Sequence, residues 1–398
     1  MPSPTPQDDA PGPRGPLWEV ALAFFHLGLT AFGGPAGHLR AFQKEFVARR
    51  GWLGEGAFAG LVGLCHALPG SASSLLGAAI GLRRAGPLGA LVATVAFALP
   101  AVLAMIAFAY LAPRFTAAFG DGWLHGLRVA ALAVAAHALF GMARRLAAGP
   151  IAAGIAIGSG VGLVFATGPV AQVCVLLAGA AFGAALLAPE PAAGEVFGGR
   201  RITPAAVALF AFLLAALPFL AQILSSPVLG LASVAYRAGA LTFGDGAVAL
   251  ALLEGEATSR AWLAPEALLA AYGAVQALPG PPAGLAAFLG AAPGLPDWRG
   301  GLAAAAAFLA PGLLLVLGVG PYWDHLSRNR RVMAAAAGAA AAAIGLLAAA
   351  LWDPLAAAAV RQPRDWALVA AAFVFLSVAR LPAWLVVPGF ALAAGIFA

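Results

Sequence analysis

The chain has 398 residues, of which 62% are hydrophobic and only 10% are charged, and its mean hydropathy is +0.93. Polar residues are too few to cover a soluble globule of this size, so the composition excludes a soluble enzyme and predicts an all-α polytopic membrane protein. The formal net charge of +6 comes from short clusters of Arg and Lys between apolar runs. Such clusters are typical of membrane topology and indicate no nucleic-acid partner.

A series of apolar stretches follows along the chain, and most have about the 20 residues that a helix needs to cross a bilayer. They lie at 17–34, 56–80, 87–112, 122–143, 150–166, 169–188, 204–224, 228–252, 266–291, 300–321, 332–352, 365–380 and 382–398. We expect a disordered, proline-rich N-terminal tail at 1–16, a first membrane repeat at 17–188, a linker with one extra transmembrane helix at 189–227, and a second membrane repeat at 228–398.

The two halves repeat each other at a nearly constant spacing. The repeat carries Gly28 to Gly239, Phe32 to Phe243, Gly33 to Gly244, Glu45 to Glu256, Arg50 to Arg260, Trp52 to Trp262, the run 67–70 to 277–280, Phe97 to Phe308 and Pro100 to Pro311. Agreement of Gly, Pro, Trp and Phe at one spacing is not expected by chance in an alanine-rich chain. The sequence therefore predicts an internal duplication.

The cations predict how the repeats lie in the membrane. Most of the 22 Lys and Arg residues fall in a few clusters, namely Arg40 to Arg50, Arg83 and Arg84, Arg144 and Arg145, Arg200 and Arg201, and Arg328 to Arg331. All clusters lie on the cytoplasmic side if 17–50 and 56–80 are re-entrant hairpins, which also inverts the second repeat. The competing arrangement, with a full crossing at 17–34 and parallel repeats, gives a poorer bias.

Four helix breaks follow from the repeat, at 32–35, 68–71, 243–246 and 278–281. Broken backbone inside a membrane is tolerated only where protein or a water-filled cavity satisfies its polar groups, and each new half-helix directs unpaired N–H groups at the break. The breaks therefore predict an anion site. Its candidate residues are Phe32, Gly33, Gly34, Pro35, His38, Pro69, Gly70, Ser71, Ser73, Phe243, Gly244, Gly246, Pro279, Gly280, Pro281 and Arg237.

Ionisable residues in apolar stretches need a reason to be there. Arg237 is a counter-charge for anion entry or a side chain that reaches to the interface. The candidates for proton coupling are Glu45, His66, Asp245 and Glu256. For the glutamates, the plainer alternative is an interfacial ion pair with Arg49 or Arg260. His38 is a proton carrier, an anion donor or a buried structural histidine.

The sequence resembles the chromate ion transporter family. The resemblance lies in the stretch 29–38, in 45–47 with 50–53, in the Leu-Pro-Gly run before 81–86, and in 242–244, 262–263 and 278–281. It implies a long-chain, two-repeat member that exports chromate in competition with sulfate, driven by the membrane potential or a proton gradient. The family pattern usually has glutamine and proline where this chain has His66 and Ser71, and glycine where it has Asp245.

We therefore predict a secondary active transporter that exports a tetrahedral oxyanion by alternating access across the cytoplasmic (inner) membrane. The alternative is a proton- or sodium-coupled exporter of another small solute, which Asp245 favours. No metal-ligand spacing, nucleophile motif or nucleotide loop is present, so we expect no enzyme, no metal site and no cofactor. The expected partners are the oxyanion and membrane lipid, with a homodimer as an open alternative.

Overall fold

The computed structural model describes residues 15–188, 196–197, 203–244 and 246–397. Most of them are helical, and six helices of this described part are long and apolar enough to cross a membrane. Shorter apolar helices, Leu17–Thr30, Pro150–Phe165, Pro227–Leu241 and Ala383–Ile396, accompany them. The predicted all-α polytopic membrane protein is therefore confirmed.

The first half contains seven helices within its described residues. They are α1 (Leu17–Thr30), α2 (Gly34–Phe42), which continues as a π-helix (Gln43–Arg49), α3 (Glu55–Ala67), α4 (Ala72–Phe119), α5 (Gly122–Leu146), α6 (Pro150–Phe165) and α7 (Pro169–Leu186). The two-residue strand β1 (Gly70–Ser71) lies between α3 and α4. The breaks predicted at 32–35 and 68–71 thus fall between α1 and α2 and between α3 and α4.

The second half follows the same order after one additional helix. Its elements are α8 (Pro204–Ile223), α9 (Pro227–Leu241), β2 (Phe243–Gly244), α10 (Gly246–Ser259), α11 (Pro265–Ala277), α12 (Ala283–Ala291), α13 (Asp297–Val319), a 3-10 turn (Gly320–Tyr322), α14 (Trp323–Leu326), α15 (Arg330–Ala350), a π-helical turn (Leu351–Leu355), α16 (Ala356–Ala359), α17 (Pro363–Ser377) and α18 (Ala383–Phe397). The breaks at 243–246 and 278–281 separate α9 from α10 and α11 from α12.

Helices α1 and α2 form a hairpin whose tip is the break at 32–35. Phe24 of α1 packs on Phe42 and Phe46 at ring distances of 5.6 and 4.8 Å. At the open end of the hairpin, Glu19 pairs with Arg50 at 3.7 Å. The second arm of this hairpin is therefore helical from Gly34 to Arg49, and its second half is a π-helix.

Helix α4 is a second hairpin in itself. Ala85 and Gly86 have non-helical dihedral angles and divide it into a short arm (72–84) and a long arm (87–119). The arms fold back so closely that a Cβ on Gly81 would clash with the Gly89 carbonyl. α1 follows the long arm in the same direction, because Gly15 donates to the Arg84 carbonyl and Gly28 meets Phe97.

The second half repeats these contacts. Gly239 of α9 meets Phe308 of α13 as Gly28 meets Phe97, and Gly290 of α12 meets Gly300 of α13 as Gly81 meets Gly89. α13 is therefore the counterpart of the long arm of α4. The remaining helices are exchanged between halves: α6 and α7 pack on α15, whereas α17 and α18 pack on α5.

Two features were not predicted from the sequence. The π-helix at Gln43–Arg49 brings Glu45 within reach of both Arg49 and Arg50. The strands β1 and β2 form a parallel pair, a small exception to an all-helical architecture. Of the predicted tail at 1–16 only the last two residues are described, and Asp245 and much of 189–203 also lie outside the described residues.

The glycine contacts generate a testable prediction. A Cβ on Gly28 would lie 2.6 Å from the Phe97 carbonyl oxygen, and the matching Gly239 is at least as crowded. Overpacking of this kind costs about 1–3 kcal/mol. We expect Gly28→Leu and Gly239→Leu to lower the melting temperature in detergent. Gly158→Leu is the control, since a Cβ on Gly158 meets nothing within 4 Å. Equal melting temperatures for all three variants would contradict the packing described here.

Candidate functional site

The breaks meet in pairs that cross between the two halves. Gly70, in the break at 68–71, donates its N–H to the carbonyl of Thr242 at 2.6 Å. The strands that follow pair in parallel, with Gly70 opposite Phe243 and Ser71 opposite Gly244. We call the breaks at 68–71 and 243–246, with Thr242, the serine pair.

The other two breaks meet in the corresponding way. Gly280, in the break at 278–281, donates its N–H to the carbonyl of Ala31 at 3.2 Å. Ala31 and Gly280 are the repeat counterparts of Thr242 and Gly70, so both crossings use equivalent atoms. We call the breaks at 32–35 and 278–281, with Ala31 and His38, the histidine pair.

Glycine is required at these crossings. Gly70 and Gly280 have φ angles of 137° and 103°, and Gly33 and Gly244 have φ angles of 94° and 75°, in the region that L side chains rarely adopt. At Gly280 a Cβ would also lie 3.1 Å from the Ala101 side chain. These φ angles give the backbone a sharp turn at each break, and the turn places the start of the next helix beside the break of the other half.

Three of the helix starts at the breaks have no side-chain cap. They are the starts of α2, α4 and α12, whose N-cap residues are Gly33, Ser71 and Pro282. The first N–H groups of a helix have no partner within the helix, and the macrodipole places partial positive charge there. Uncapped helix starts at both pairs therefore present groups that favour an anion.

Hydroxyl groups add donors at the serine pair. Ser71 and Ser73 are 4% and 0% exposed, and their Oγ atoms lie 3.4 Å apart. The buried Oγ of Ser74 has no hydrogen-bond partner among the described residues. Pro69 and Phe243 complete this pair, with Gly246 at the start of α10.

His38 belongs to the histidine pair. It is 2% exposed, and its Nε2 lies 3.1 Å from the Ala31 carbonyl oxygen, the same acceptor that Gly280 uses. Phe32 is partly exposed, with its ring 5.5 Å from that of Trp384. Gly34 and Pro35 begin α2, and Pro279 and Pro281 flank Gly280. The predicted site residues thus divide between two pairs.

Arg237 lies apart from both crossings. It forms an ion pair with Glu256, which also meets Arg260 at 3.5 Å. Arg237 and Glu256 line a small cavity of about 10 Å³ together with Pro169 and Gln172. The charge predicted to attract an anion is therefore already paired, one to two helical turns from Thr242.

Glu45 occupies the matching place in the first half and pairs with Arg49 at 3.1 Å and Arg50 at 2.6 Å. The ion pairs considered as the plainer reading of both glutamates are present. His66 is exposed, and its Nδ1 lies 2.8 Å from the Val62 carbonyl of its own helix. The fourth candidate for proton coupling, Asp245, lies outside the described residues.

Two kinds of buried polar group were missed from the sequence: the backbone acceptors at the crossings and one carboxylate on α10 away from them. The carbonyls of Ala31 and Thr242 receive the crossing hydrogen bonds, but a backbone acceptor leaves no mark on side-chain pattern. Glu254 is 3% exposed and accepts a hydrogen bond of 2.6 Å from Thr258. Its place in an apolar stretch two residues before Glu256 was a signal that could have identified it.

A larger cavity of about 700 Å³ lies between the long arm of α4, α5, α11 and α18, and it reaches the break at 278–281 only at the apolar side chain of Leu278. Its lining consists of apolar side chains such as Phe108, Trp123 and Leu392. A dianion there would lose its hydration without gaining donors. This cavity suits lipid tails better than an oxyanion.

Comparison with known proteins identifies the family. The family model described as Chromate transporter matches residues 18–184 and 229–396, once for each half. The chain belongs to the chromate transporter family. Membership confirms the resemblance and the two repeat regions, indicates an integral membrane transporter, and supports transport of chromate-like ions.

Individual relatives agree with this membership. The chain is similar to a "Chromate transport protein" of Pseudomonas aeruginosa, with 28% identity over 87% of this chain and 82% of the relative. It is also similar to the uncharacterized transporters YwrB and YwrA of Bacillus subtilis (strain 168). These are 31% and 32% identical over 23% and 24% of this chain, covering 46% and 53% of the relatives. No solved structure matches the chain.

The ion pair of Arg237 and Glu256 yields a prediction. Removing one partner of a buried pair leaves an uncompensated charge and costs about 3–5 kcal/mol, whereas removing both is much milder. We expect Arg237→Met and Glu256→Met each to lower the melting temperature strongly, and Arg237→Met/Glu256→Met to recover most of the loss.

The exposed pair of Asp121 and Arg361, at 2.9 Å, is the control for this cycle. Its coupling should be at most about 1 kcal/mol because water screens it. If the stability losses of the two single variants add up in the double variant, the two charges do not stabilise each other. Arg237 would then be available to bind an anion.

Proposed function

We propose that this chain is a secondary active transporter that exports a tetrahedral oxyanion, chromate with sulfate as a competitor, across the cytoplasmic membrane. The observation that carries the proposal is the crossed pairing of the four breaks, through the N–H groups of Gly70 and Gly280. Packing alone does not require helices to break at matching positions and to exchange hydrogen bonds there. A ligand site between the two repeats accounts for both features.

The chemistry of the breaks favours a small oxyanion. Each uncapped helix start contributes about 0.3–2 kcal/mol toward an anion, and several starts with serine hydroxyls replace part of its hydration shell. These donors recognise charge and oxygen geometry, which chromate and sulfate share. Competition between the two anions follows from that similarity. The relative from Pseudomonas aeruginosa carries the name of a chromate transport protein, in agreement with this substrate.

Contacts along the helices support an inverted arrangement of the repeats. Leu75 lies beside Gly312 and Leu82 beside Gly320, so the short arm of α4 runs parallel to α13. The short arm runs opposite to the long arm, since α4 folds back at Gly86. The long arm and its counterpart α13 therefore run in opposite directions, which is the relation expected of inverted repeats.

The same geometry supports re-entrant hairpins and a cytoplasmic orientation. Glu19 at the start of α1 pairs with Arg84 at 2.9 Å and with Arg50, and Gln43 meets Glu55 at 2.9 Å. The hairpin of α1 and α2 and the hairpin of α3 with the short arm of α4 thus have their open ends together, next to clusters of arginine. The positive-inside rule assigns that end to the cytoplasm.

A difference between the repeats supports alternating access. α11 packs on α5, where a Cβ on Gly273 would lie 2.7 Å from the Leu127 carbonyl oxygen, and Leu269 and Tyr272 are fully buried. The counterparts of Leu269 and Tyr272 on α3 are Ala59, which is exposed, and Val62, which is half-buried. An exchange of these two packing states would close one side of the site and open the other.

Transport by purified protein in liposomes tests the proposal. We expect chromate to enter liposomes under an imposed gradient and excess unlabelled sulfate to reduce its entry. Gly33→Leu and Gly70→Leu should reduce the flux at least about tenfold, because a side chain at either break disfavours the positive φ angle and occupies the approach to the helix starts.

Gly120→Leu is the matched control, because Gly120 also has a positive φ angle, 79°, but lies between α4 and α5 with nothing within 4 Å of a Cβ. It should keep most of the flux while sharing the backbone strain. Folded wild-type protein that moves neither anion would refute the function. Normal flux in both break variants would refute the site while leaving the function standing.

A further inference from the structure

Within the described residues, His38 is the one histidine at the two crossings, and imidazole is the side chain that most readily exchanges a proton when its surroundings change. It is the fifth residue of α2, and its ring folds back over the break at 32–35. The edge of the ring packs against Phe97 at a centroid distance of 5.4 Å. With only 2% of the residue exposed, the imidazole is held in one place.

The hydrogen bonds of His38 fix which nitrogen can titrate. Nε2 lies 3.1 Å from the Ala31 carbonyl, which can only accept, so Nε2 carries a proton in every charge state. Nδ1 is then a bare lone pair in the neutral ring and an N–H donor in the cation. It is buried and has no hydrogen-bond partner among the described residues. An unpartnered polar atom in such a place points to a missing ligand.

We propose that Nδ1 of His38 takes up one proton when an oxyanion binds at the histidine pair, and that this proton moves with the anion. The inference rests on the proposed transport function. A lone imidazolium buried in the protein is unfavourable, and so is a buried dianion. Together they form a charge-assisted hydrogen bond from Nδ1–H to an anion oxygen. Release of the anion removes the compensating charge, and the proton returns to water.

Other charged groups nearby are engaged elsewhere. On α1, Glu19 pairs with Arg50 and Arg84, and His26 is exposed. On α2 and the π-helix that continues it, Glu45 pairs with Arg49 and Arg50, while Arg40 and Lys44 are both exposed. The break at 278–281 and α12 carry no titratable side chain. The long arm of α4 has its one cation, Arg114, near the far end.

The repeat makes the proton count specific. The counterpart of His38 in the second half is Ala249, which is fully buried and has no titratable group. Among the described residues, the serine pair offers neutral hydroxyls where the histidine pair offers an imidazole. We therefore expect one proton per anion bound at the histidine pair, taken up by His38.

Calorimetry on the purified full chain in detergent tests this inference with sulfate as the probe. Titrations near neutral pH in buffers of different ionisation enthalpy give the number of protons taken up per bound anion. We expect close to one for the wild type and none for His38→Gln, whose amide can still donate to Ala31. The variant should bind sulfate about tenfold more weakly, because it lacks a charge-assisted donor.

His26→Gln is the matched control, since it removes an exposed histidine from the same hairpin. It should keep the wild-type proton count and affinity. Sulfate binding by the wild type without proton uptake, or equal uptake in His38→Gln, would overturn the inference and leave the transport function intact. The wild-type titration decides the matter even if His38→Gln does not fold. Wild-type protein that binds no oxyanion would instead contradict the proposed function, and this inference with it.

Discussion

The structure depends on how polar backbone groups are satisfied where helices are interrupted inside a membrane. A peptide N–H without a partner there costs several kcal/mol, so a break persists only if another group receives it. Gly70 and Gly280 find their acceptors in the opposite half, at Thr242 and Ala31. Each repeat therefore supplies a hydrogen-bond acceptor for a break in the other, and the candidate site at the crossings is built from both repeats.

Close helix packing makes these crossings possible. Gly28 lets α1 lie directly against the long arm of α4 at Phe97, and the carbonyls of both residues would lie 3.6 Å from a Cβ on Gly280. A side chain at Gly28 would separate the two helices and displace the surface on which the break at 278–281 rests. Packing of small residues, common between membrane helices, here also positions the backbone of the candidate site.

Much of this arrangement could be predicted because Gly and Pro leave marks in an apolar sequence. The repeat of Phe32, Gly33 and the Leu-Pro-Gly run predicted all four breaks. In the structure, one helix ends before each break and another begins at or after it. The crossing partners could not be predicted, since carbonyl acceptors such as Ala31 carry no sequence signal. The π-helix that draws Glu45 to Arg49 and Arg50 arises from packing and ion pairing rather than from residue periodicity.

The two crossings share a scaffold but differ in chemistry. Ser71 corresponds to Pro281, and His38 corresponds to Ala249, so the hydroxyls lie at one crossing and the imidazole at the other. Among the described residues the serine pair has only neutral donors; Asp245, in its break at 243–246, lies outside them. In the proposed mechanism, an anion held by those hydroxyls alone takes up no proton, whereas an anion at the histidine pair draws a proton onto His38. Because equivalent backbone atoms form both crossings, this difference in side chains is what can make the passage of an anion from one to the other depend on a proton.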